Sequence, residues 1–336
     1  MKILLTGGCG YIGSHIAVEL LNKDFEIVII DNLINSKRQV VEEIQKITKK
    51  KLEFYEGNVG DEDLLTKVFK KEKIDAVIHL AGLKAVGDSV HKPIEYYKNN
   101  LISTLTLLDV MNKNNCKKLV FSSSATVYGE PITLPIKEDF SLSATNPYGT
   151  TKLMIEQILQ DLYVSDNMWR ISILRYFNPL GAHESGLIGE NPNGIPNNLM
   201  PYILKVANKE INQITVFGND YNTSDGTGIR DYIHVVDLAS GHVKALDYLF
   251  ANSGVEIFNL GTGKGYSVLE IIATFKKINK VKLPYIICPR RAGDIASCYA
   301  DVSKAKSKLD WSSVKTLDDM CRDSYNFYKK VKNEKN

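Results

Sequence analysis

The sequence has no C-x-x-C spacing. Its five cysteines, Cys9, Cys116, Cys288, Cys298 and Cys321, are scattered and odd in number. Neither a disulfide framework nor a zinc site is expected from them, and no metal ligand set stands out. No apolar run approaches the roughly 20 residues of a membrane span, so no membrane is expected as a partner. Net charge is small, +3 over 336 residues, too little to point to nucleic acid or an anionic surface. The one dense basic run, Lys329 to Lys335, reads as a solvated tail, with 331–336 flexible. The start, Lys2 followed by Ile3-Leu-Leu-Thr6, reads as a strand and not as a signal peptide, and the expectation is a cytoplasmic protein. No internal repeat and no low-complexity tract precede the tail. What is present, 44% hydrophobic and 24% charged residues, is the composition of a soluble globular chain. Its length suits one large α/β domain or two domains sharing a cleft.

Short apolar runs at Lys2–Thr6, Phe25–Ile30, Leu52–Glu56, Ala76–Leu80 and Lys118–Ser122 alternate with amphipathic stretches near Tyr11–Leu21, Arg38–Lys49, Glu62–Lys71 and Ile94–Asn115. This alternation predicts a parallel sheet with right-handed crossovers and helices on both faces. Ligands on such sheets bind beyond the carboxyl ends of the strands. The residues that follow each run are therefore the informative ones: Gly7, Asp31, Asn58, Ala81-Gly82 and Ser122–Ser124. A long helix from Asn146 and a strand over Arg170–Tyr176 come next. After Asn178-Pro179, Gly, Asn and Pro interrupt the pattern. Helices are predicted near Leu199–Asn208, Val236–Leu249, Ser267–Ile278 and Leu317–Tyr328, with strands near Thr215–Phe217 and Glu256–Asn259. The expected fold is α/β. A doubly wound parallel Rossmann sheet spans 1–178, and a smaller C-terminal α/β substrate-binding domain, mainly 179–330, caps it. Some of its segments return to the sheet.

Gly7-Gly-Cys-Gly10-Tyr-Ile-Gly13 directly follows a strand and opens a helix. Residues without a Cβ let the backbone approach a pyrophosphate, and the helix N-terminus adds N–H donors and partial positive charge. Asp31 ends the second strand, where a carboxylate would accept hydrogen bonds from ribose hydroxyls and repel a 2′-phosphate, favouring NAD over NADP. Lys37 and Arg38 lie close enough to receive such a phosphate, and Asp31 as a helix N-cap is the bland alternative. Asn58-Val59 follows the third strand, where an amide can meet an adenine edge or simply make a turn.

Tyr148-Gly-Thr-Thr-Lys152 places a tyrosine and a lysine four apart, on one helix face. The lysine ammonium and a positive nicotinamide would favour tyrosinate and pull the tyrosine below its usual value of about 10. The pair then moves a proton beside a hydride acceptor, as alcohol oxidation requires. Ser124, in Ser122-Ser-Ser124-Ala-Thr-Val-Tyr128-Gly, can hydrogen-bond the substrate alcohol, whereas Ser122 and Ser123 could equally satisfy loop backbone.

The glycine loop, Asp31-Asn-Leu, Ala81-Gly-Leu-Lys84-Ala-Val-Gly, Ser122–Gly129, Tyr148-x-x-x-Lys152, Arg175-Tyr-Phe-Asn178-Pro, Gly194-Ile-Pro-Asn-Asn198-Leu, Arg230-Asp-Tyr-Ile-His-Val and Arg290-Arg-Ala-Gly-Asp294 together carry a resemblance over roughly residues 2 to 325. The chain resembles the extended short-chain dehydrogenase/reductases and, within them, the UDP-glucose 4-epimerases. The resemblance implies a tightly held NAD, oxidation at C4 of a UDP-hexose, rotation of the 4-keto sugar and return of the hydride to the other face. It implies that Tyr148, Lys152 and Ser124 are catalytic. At the cofactor it implies Gly7, Gly10, Tyr11, Ile12, Gly13, Asp31, Asn32, Leu33, Asn35, Ser36, Asn58, Val59, Leu80, Ala81, Gly82, Lys84, Asn99, Ser122, Ser124, Tyr148, Lys152 and Phe177. A diphosphate calls for guanidinium groups, and Arg230 and Arg291 both lie in loop contexts. By resemblance they bind it, Asn178, Asn198 and Leu199 hold the phosphate and sugar, Val216 and Phe217 the uracil, and Asp294 a ribose hydroxyl. Cys298 stands where relatives vary between a bulky tyrosine and a small residue, which implies room for an N-acetyl group and use of UDP-GlcNAc and UDP-GalNAc. Asn58 stands where many relatives carry an acid. A homodimer built from the helices near Ile94–Asn115 and Asn146–Ser165 is also implied, although the apolar faces of these helices could equally belong to the core. A 4,6-dehydratase of the same fold would carry Asp-Glu where this chain has Ala125-Thr126, and a non-catalytic NAD-sensing module would have no need of Tyr148 and Lys152.

Overall fold

Ile3, Leu4 and Leu5 are apolar toward both faces of their strand, and all three are fully buried. Such a strand belongs in the middle of a parallel sheet covered on both sides. The computed structural model, which describes residues 1–192, 198–291 and 294–333, puts it there. The strands Lys2–Thr6 (β1), Glu26–Asp31 (β2), Glu53–Glu56 (β3), Ala76–His79 (β4), Lys118–Ser124 (β5) and Arg170–Tyr176 (β6) join Gly254–Leu260 in one seven-stranded sheet. Their order is β3-β2-β1-β4-β5-β6 and then Gly254–Leu260, and every pairing is parallel. This is a Rossmann-type sheet. The carboxyl ends of its strands lie along one edge, which is where ligands of such folds bind.

The helices Tyr11–Asn22 (α1), Gln39–Thr48 (α2), Glu62–Glu72 (α3), Val86–His91 (α4), Pro93–Lys113 (α5) and Pro147–Ser165 (α6) cross between the strands. One face of the sheet buries Ile16, Leu20 and Ile44 of α1 and α2 with Leu238 and Leu246 of the helix Val235–Ala251. The other buries Leu65 and Val68 of α3, Leu107 and Met111 of α5, and Ile155 and Leu159 of α6. Local chemistry fixes where these helices begin. Asp61 accepts from Leu64 N–H at the start of α3. Asn146 accepts from Gly149 N–H at 2.9 Å, with Pro147 in the first turn of α6, as expected of an N-cap followed by proline. Tyr148 is thereby set in the opening turn.

In the second half, Leu199–Ala207, Val268–Asn279 and Leu317–Asn333 pack around Ile203, Phe275 and Met320. Ile214–Phe217 pairs with Tyr285–Cys288, and Ile229–Arg230 lies between Tyr266–Ser267 and Ser297–Cys298. The strand near Glu256–Asn259 and the helix before it are among the segments that return to the large sheet: the strand pairs with β6, and Phe258 and Leu246 are buried in the same core as Ile16 and Leu20 of α1. One sequence expectation changes here. The basic run is not all tail: the last helix continues to Asn333, with Lys332 paired to Glu210 at 2.8 Å. The motif residues Gly194 to Asn197, Ala292 and Gly293, and residues 334–336, lie outside the described residues.

Candidate active site

The glycine loop is shaped by crowding. Gly7 has φ +70, and a Cβ on Gly13 would meet Gly7 O at 2.4 Å. The loop and α1 can therefore pack only with glycine at both positions. Asp31 reaches this loop from the end of β2. One carboxylate oxygen accepts from Cys9 N–H at 3.0 Å, the other from Leu33 N–H at 2.9 Å and Ser36 Oγ at 2.8 Å. Asp31 is not a helix cap, since α2 starts after Arg38. Arg38 pairs instead with Glu56. Above the sheet edge opens a cavity of about 520 Å³ walled by Gly7, Gly10, Tyr11, Ile12, Gly13, Asp31, Asn32, Asn35, Ser36, Asn58, Val59, Leu80, Ala81, Gly82, Lys84, Asn99, Ser122, Tyr148 and Lys152. Three expected cofactor residues are not in its wall: Leu33, whose N–H serves Asp31, and Ser124 and Phe177. Asn58 accepts from Gly60 N–H at 2.8 Å, a turn contact that occupies its carbonyl.

Lys152 and Tyr148 close one end of this cavity. Lys152 Nζ donates to Ser122 O at 2.7 Å and lies 5.9 Å from the Tyr148 ring centre. Burial pushes Lys152 down to about 8, opposed by the Glu156 carboxylate one turn further on. Tyr148 moves the other way. Burial pushes it up to about 12, and the hydrogen bond from Ser124 only partly offsets this. The expected lowering by Lys152 is not found in the chain alone, because desolvation dominates both groups. Ser124 Oγ accepts from Thr126 Oγ1 at 3.0 Å, leaving its own proton for Tyr148.

Several positioning groups escaped the sequence. Asn100 holds the loop after β4, accepting from Leu83 N–H at 2.8 Å and donating to Leu83 O and to Thr151 on α6. Glu156 is gripped by Arg175 through two contacts, at 2.6 and 3.1 Å, both side chains being buried. Tyr176 lines the cavity and bonds His242, whose Nδ1 meets Leu238 O at 2.8 Å. A carbonyl only accepts, so Nδ1 carries the proton and Nε2 accepts from Tyr176. The periodicity of helices and strands reports burial and not hydrogen-bond partners, so only the polar residues on buried faces gave a hint.

The expected nucleotide-sugar residues lie outside that cavity. Arg230 and Cys298 are register partners in adjacent short strands. Arg291 sits 4.8 Å over the Phe217 ring and pairs with Asp294 at 2.9 Å. Arg230, Arg291 and Asp294 are all near enough to act on the Tyr232 hydroxyl. The Val216 side chain is buried in the cap's core, which leaves its backbone to meet a ligand, while Phe217 faces out. Asn178 is exposed on its strand, and Asn198, directly before Leu199, donates to Glu190 at 2.9 Å. Cys298 is buried with Val127, Tyr128 and Phe177.

A family model described as GDP-mannose 4,6 dehydratase matches residues 4–324. The UDP-glucose 4-epimerase of Bacillus subtilis is 58% identical over 325 residues, 97% of this chain and 96% of its own. The chain belongs to the UDP-glucose 4-epimerase branch of the extended short-chain dehydrogenase/reductases. Among solved members of that branch, a UDP-glucose 4-epimerase from Bifidobacterium longum in complex with NAD+ and UDP superposes with a TM-score of 0.96 at 55% identity, each chain covered to 99%. The UDP-Glc/GlcNAc 4-epimerase of Campylobacter jejuni is 36% identical, with a TM-score of 0.86, 98% of this chain and 99% of that one covered. In this epimerase branch member, Ala125-Thr126 forms the short turn after β5, where a dehydratase would carry its acid pair.

Proposed function

We infer that this epimerase-family chain interconverts UDP-glucose and UDP-galactose by reversible oxidation at C4 through a 4-keto intermediate, with NAD as its resident cofactor. The observation that carries the reading is Tyr148, with Ser124 bonded to it and Lys152 held beside its ring by Ser122 O, on the wall of a cavity shared with the glycine loop and Asp31. The residues fit NAD: the glycine loop leaves no room for a Cβ, and Asp31 presents a carboxylate to a ribose. NAD, when bound, supplies the hydride acceptor. Tyr148 takes the C4 hydroxyl proton and gives it back when the sugar has turned. Ser124 orders that hydroxyl, and Lys152 holds positive charge beside the ring. Arg230 and Arg291 would hold the diphosphate, Asn178, Asn198 and Leu199 the phosphate and sugar side, Phe217 the uracil with the backbone of Val216, and Asp294 a ribose hydroxyl. The test is to incubate the purified protein with UDP-galactose and no added reductant. UDP-glucose at equilibrium is expected. A 6-deoxy-4-keto product would mean dehydration, and no conversion would leave only a sensor.

The buried, small Cys298 beside Phe177 supports acceptance of UDP-N-acetylhexosamines. Cys298→Tyr should depress kcat/KM for UDP-GalNAc selectively, by about tenfold or more, from the loss of one pocket's space. Undetectable turnover of UDP-GalNAc by the unaltered protein would sink the idea. We further read the protein as a cytoplasmic homodimer. Its five cysteines are all unpaired, as in a reducing compartment. Among the described residues no helix is long and apolar enough to cross a membrane.

A further inference from the structure

Glu190 stands where the two halves of the cleft meet. Its side chain is 11% exposed. A single oxygen, Oε1, faces Lys84 Nζ at 3.5 Å and accepts from Asn198 Nδ2 at 2.9 Å. Lys84 follows β4 and walls the cofactor cavity, as Glu190 does. Asn198 opens the helix Leu199–Ala207 of the cap, and its side chain caps no N–H there. A carboxylate beside a diphosphate site is unfavourable in itself, since like charges repel more strongly as water is excluded. Its two contacts have opposite consequences. The Lys84 contact competes with any phosphate for that ammonium. The Asn198 contact orients an amide that has no other holder among the described residues.

We propose that Glu190 is a positioning residue that aims Asn198 at the nucleotide sugar while restraining Lys84 from the cofactor's phosphates. The proposal rests on the epimerase reading above. Because both contacts share one oxygen, the two binding sites are linked through it, and such coupling is reciprocal.

Two variants separate this role from simple structural support. Glu190→Ala removes both contacts. UDP Kd and the KM for UDP-galactose should rise about tenfold, as expected for loss of a hydrogen bond to a charged group. NAD Kd should fall about two- to fivefold, as expected for release of a partly exposed ion pair. Glu190→Gln keeps an acceptor for Asn198 but not the charge. UDP Kd should return to within about twofold of the unaltered protein, while NAD binding stays tightened to the same degree. UDP and NAD affinities are measured calorimetrically on the full chain, and the unaltered protein is assayed for UDP-galactose conversion alongside. UDP and NAD binding weakening together, neither moving, or Glu190→Gln failing to restore UDP binding would each overturn the proposal. If the unaltered protein did not turn over UDP-galactose, the epimerase reading would fall, yet the two binding constants would still decide the role of Glu190.

Discussion

Lys152 is held in the folded protein against its own preference for water. It is 5% exposed, and burial lowers it to about 8 from the ordinary lysine value of 10.5. At neutral pH it is therefore charged and buried, a destabilising state. The folded value lies below the unfolded one, so the unfolded chain holds this proton more tightly between pH 8 and 10.5. The penalty is full below pH 8 and shrinks as pH rises through that window. Lys152→Met should stabilise the protein at pH 7 by on the order of 1–3 kcal/mol and abolish turnover. A rise in Tm that fades by pH 10 is the expected result, and an unchanged or lower Tm at pH 7 would refute it. Tyr148 is the complementary case. Pushed up to about 12, it keeps its proton at neutral pH in the chain alone. Tyr148→Phe should leave NAD bound and lower kcat by about 10²–10⁴, checked by cofactor absorbance and turnover on one preparation. Near-normal kcat would remove its assigned role. The Tyr–Lys spacing made this site visible in the sequence, but the opposite drift of the two groups was not, because desolvation depends on what other segments pack over them.

At the scale of elements, α5 and α6 pack side by side and leave apolar groups outside. Ile94, Ile102 and Leu105 of α5 are 70%, 53% and 48% exposed, and Met154 of α6 is 43% exposed. Ile94, Ile102 and Leu105 recur at helical spacing, so they form a stripe. Such a contiguous patch is what a self-complementary dimer buries. The double variant Ile102→Glu, Leu105→Glu should shift the protein to monomer by sedimentation, with the monomer still folded. An unaltered protein that sediments as a monomer would dispose of the dimer. The inner strands β1, β4, β5 and β6 were legible in the sequence because each is a near-continuous run buried on both faces, whereas the edge strand β3, with exposed ends, was placed mainly by its position in the alternation. The cap was less legible. Its strands Ile229–Arg230 and Ser297–Cys298 are two residues long, too short to show any period, and they are defined by partners far along the chain. The orientation of Val216 was hidden for the same reason. Its place in Ile214–Phe217 could be known, but which face of that strand meets the core is fixed by Tyr285–Cys288 and the helices beneath. Glu190 lay in a Gly- and Asn-rich loop with no pattern, where only the fold brings Lys84 and Asn198 to one oxygen.

Of the imidazoles buried in the whole molecule, two join its layers and a third is bonded within its own helix. His79 joins β4 to β1 through Thr6 at 2.7 Å and to α5 through Thr104 at 2.9 Å. His242 joins the helix Val235–Ala251 to β6 through Tyr176. His15 joins α1 to its own first turn through Tyr11 O at 2.7 Å. Burial lowers His15 and His79 to about 3 and His242 to about 4. In the unfolded chain each returns to about 6.5. The folded values are the depressed ones, so below pH 6.5 the unfolded state takes up protons that the folded state refuses, and stability is lost as pH falls. Burial also lowers His183, which adds to that uptake, whereas Asp231, Asp237, Glu19 and Glu138, raised by burial, pull in the opposite sense by holding protons in the folded state. Net proton uptake on unfolding is expected at pH 5.5, each proton lowering stability by about 1.4 kcal/mol per pH unit as pH falls there. Calorimetric unfolding in two buffers of different ionisation enthalpy measures that uptake directly. Zero uptake, or net release, would mean that these histidines are already charged in the folded protein, and the hydrogen-bond polarity assigned to Tyr176 and His242 would have to be reversed.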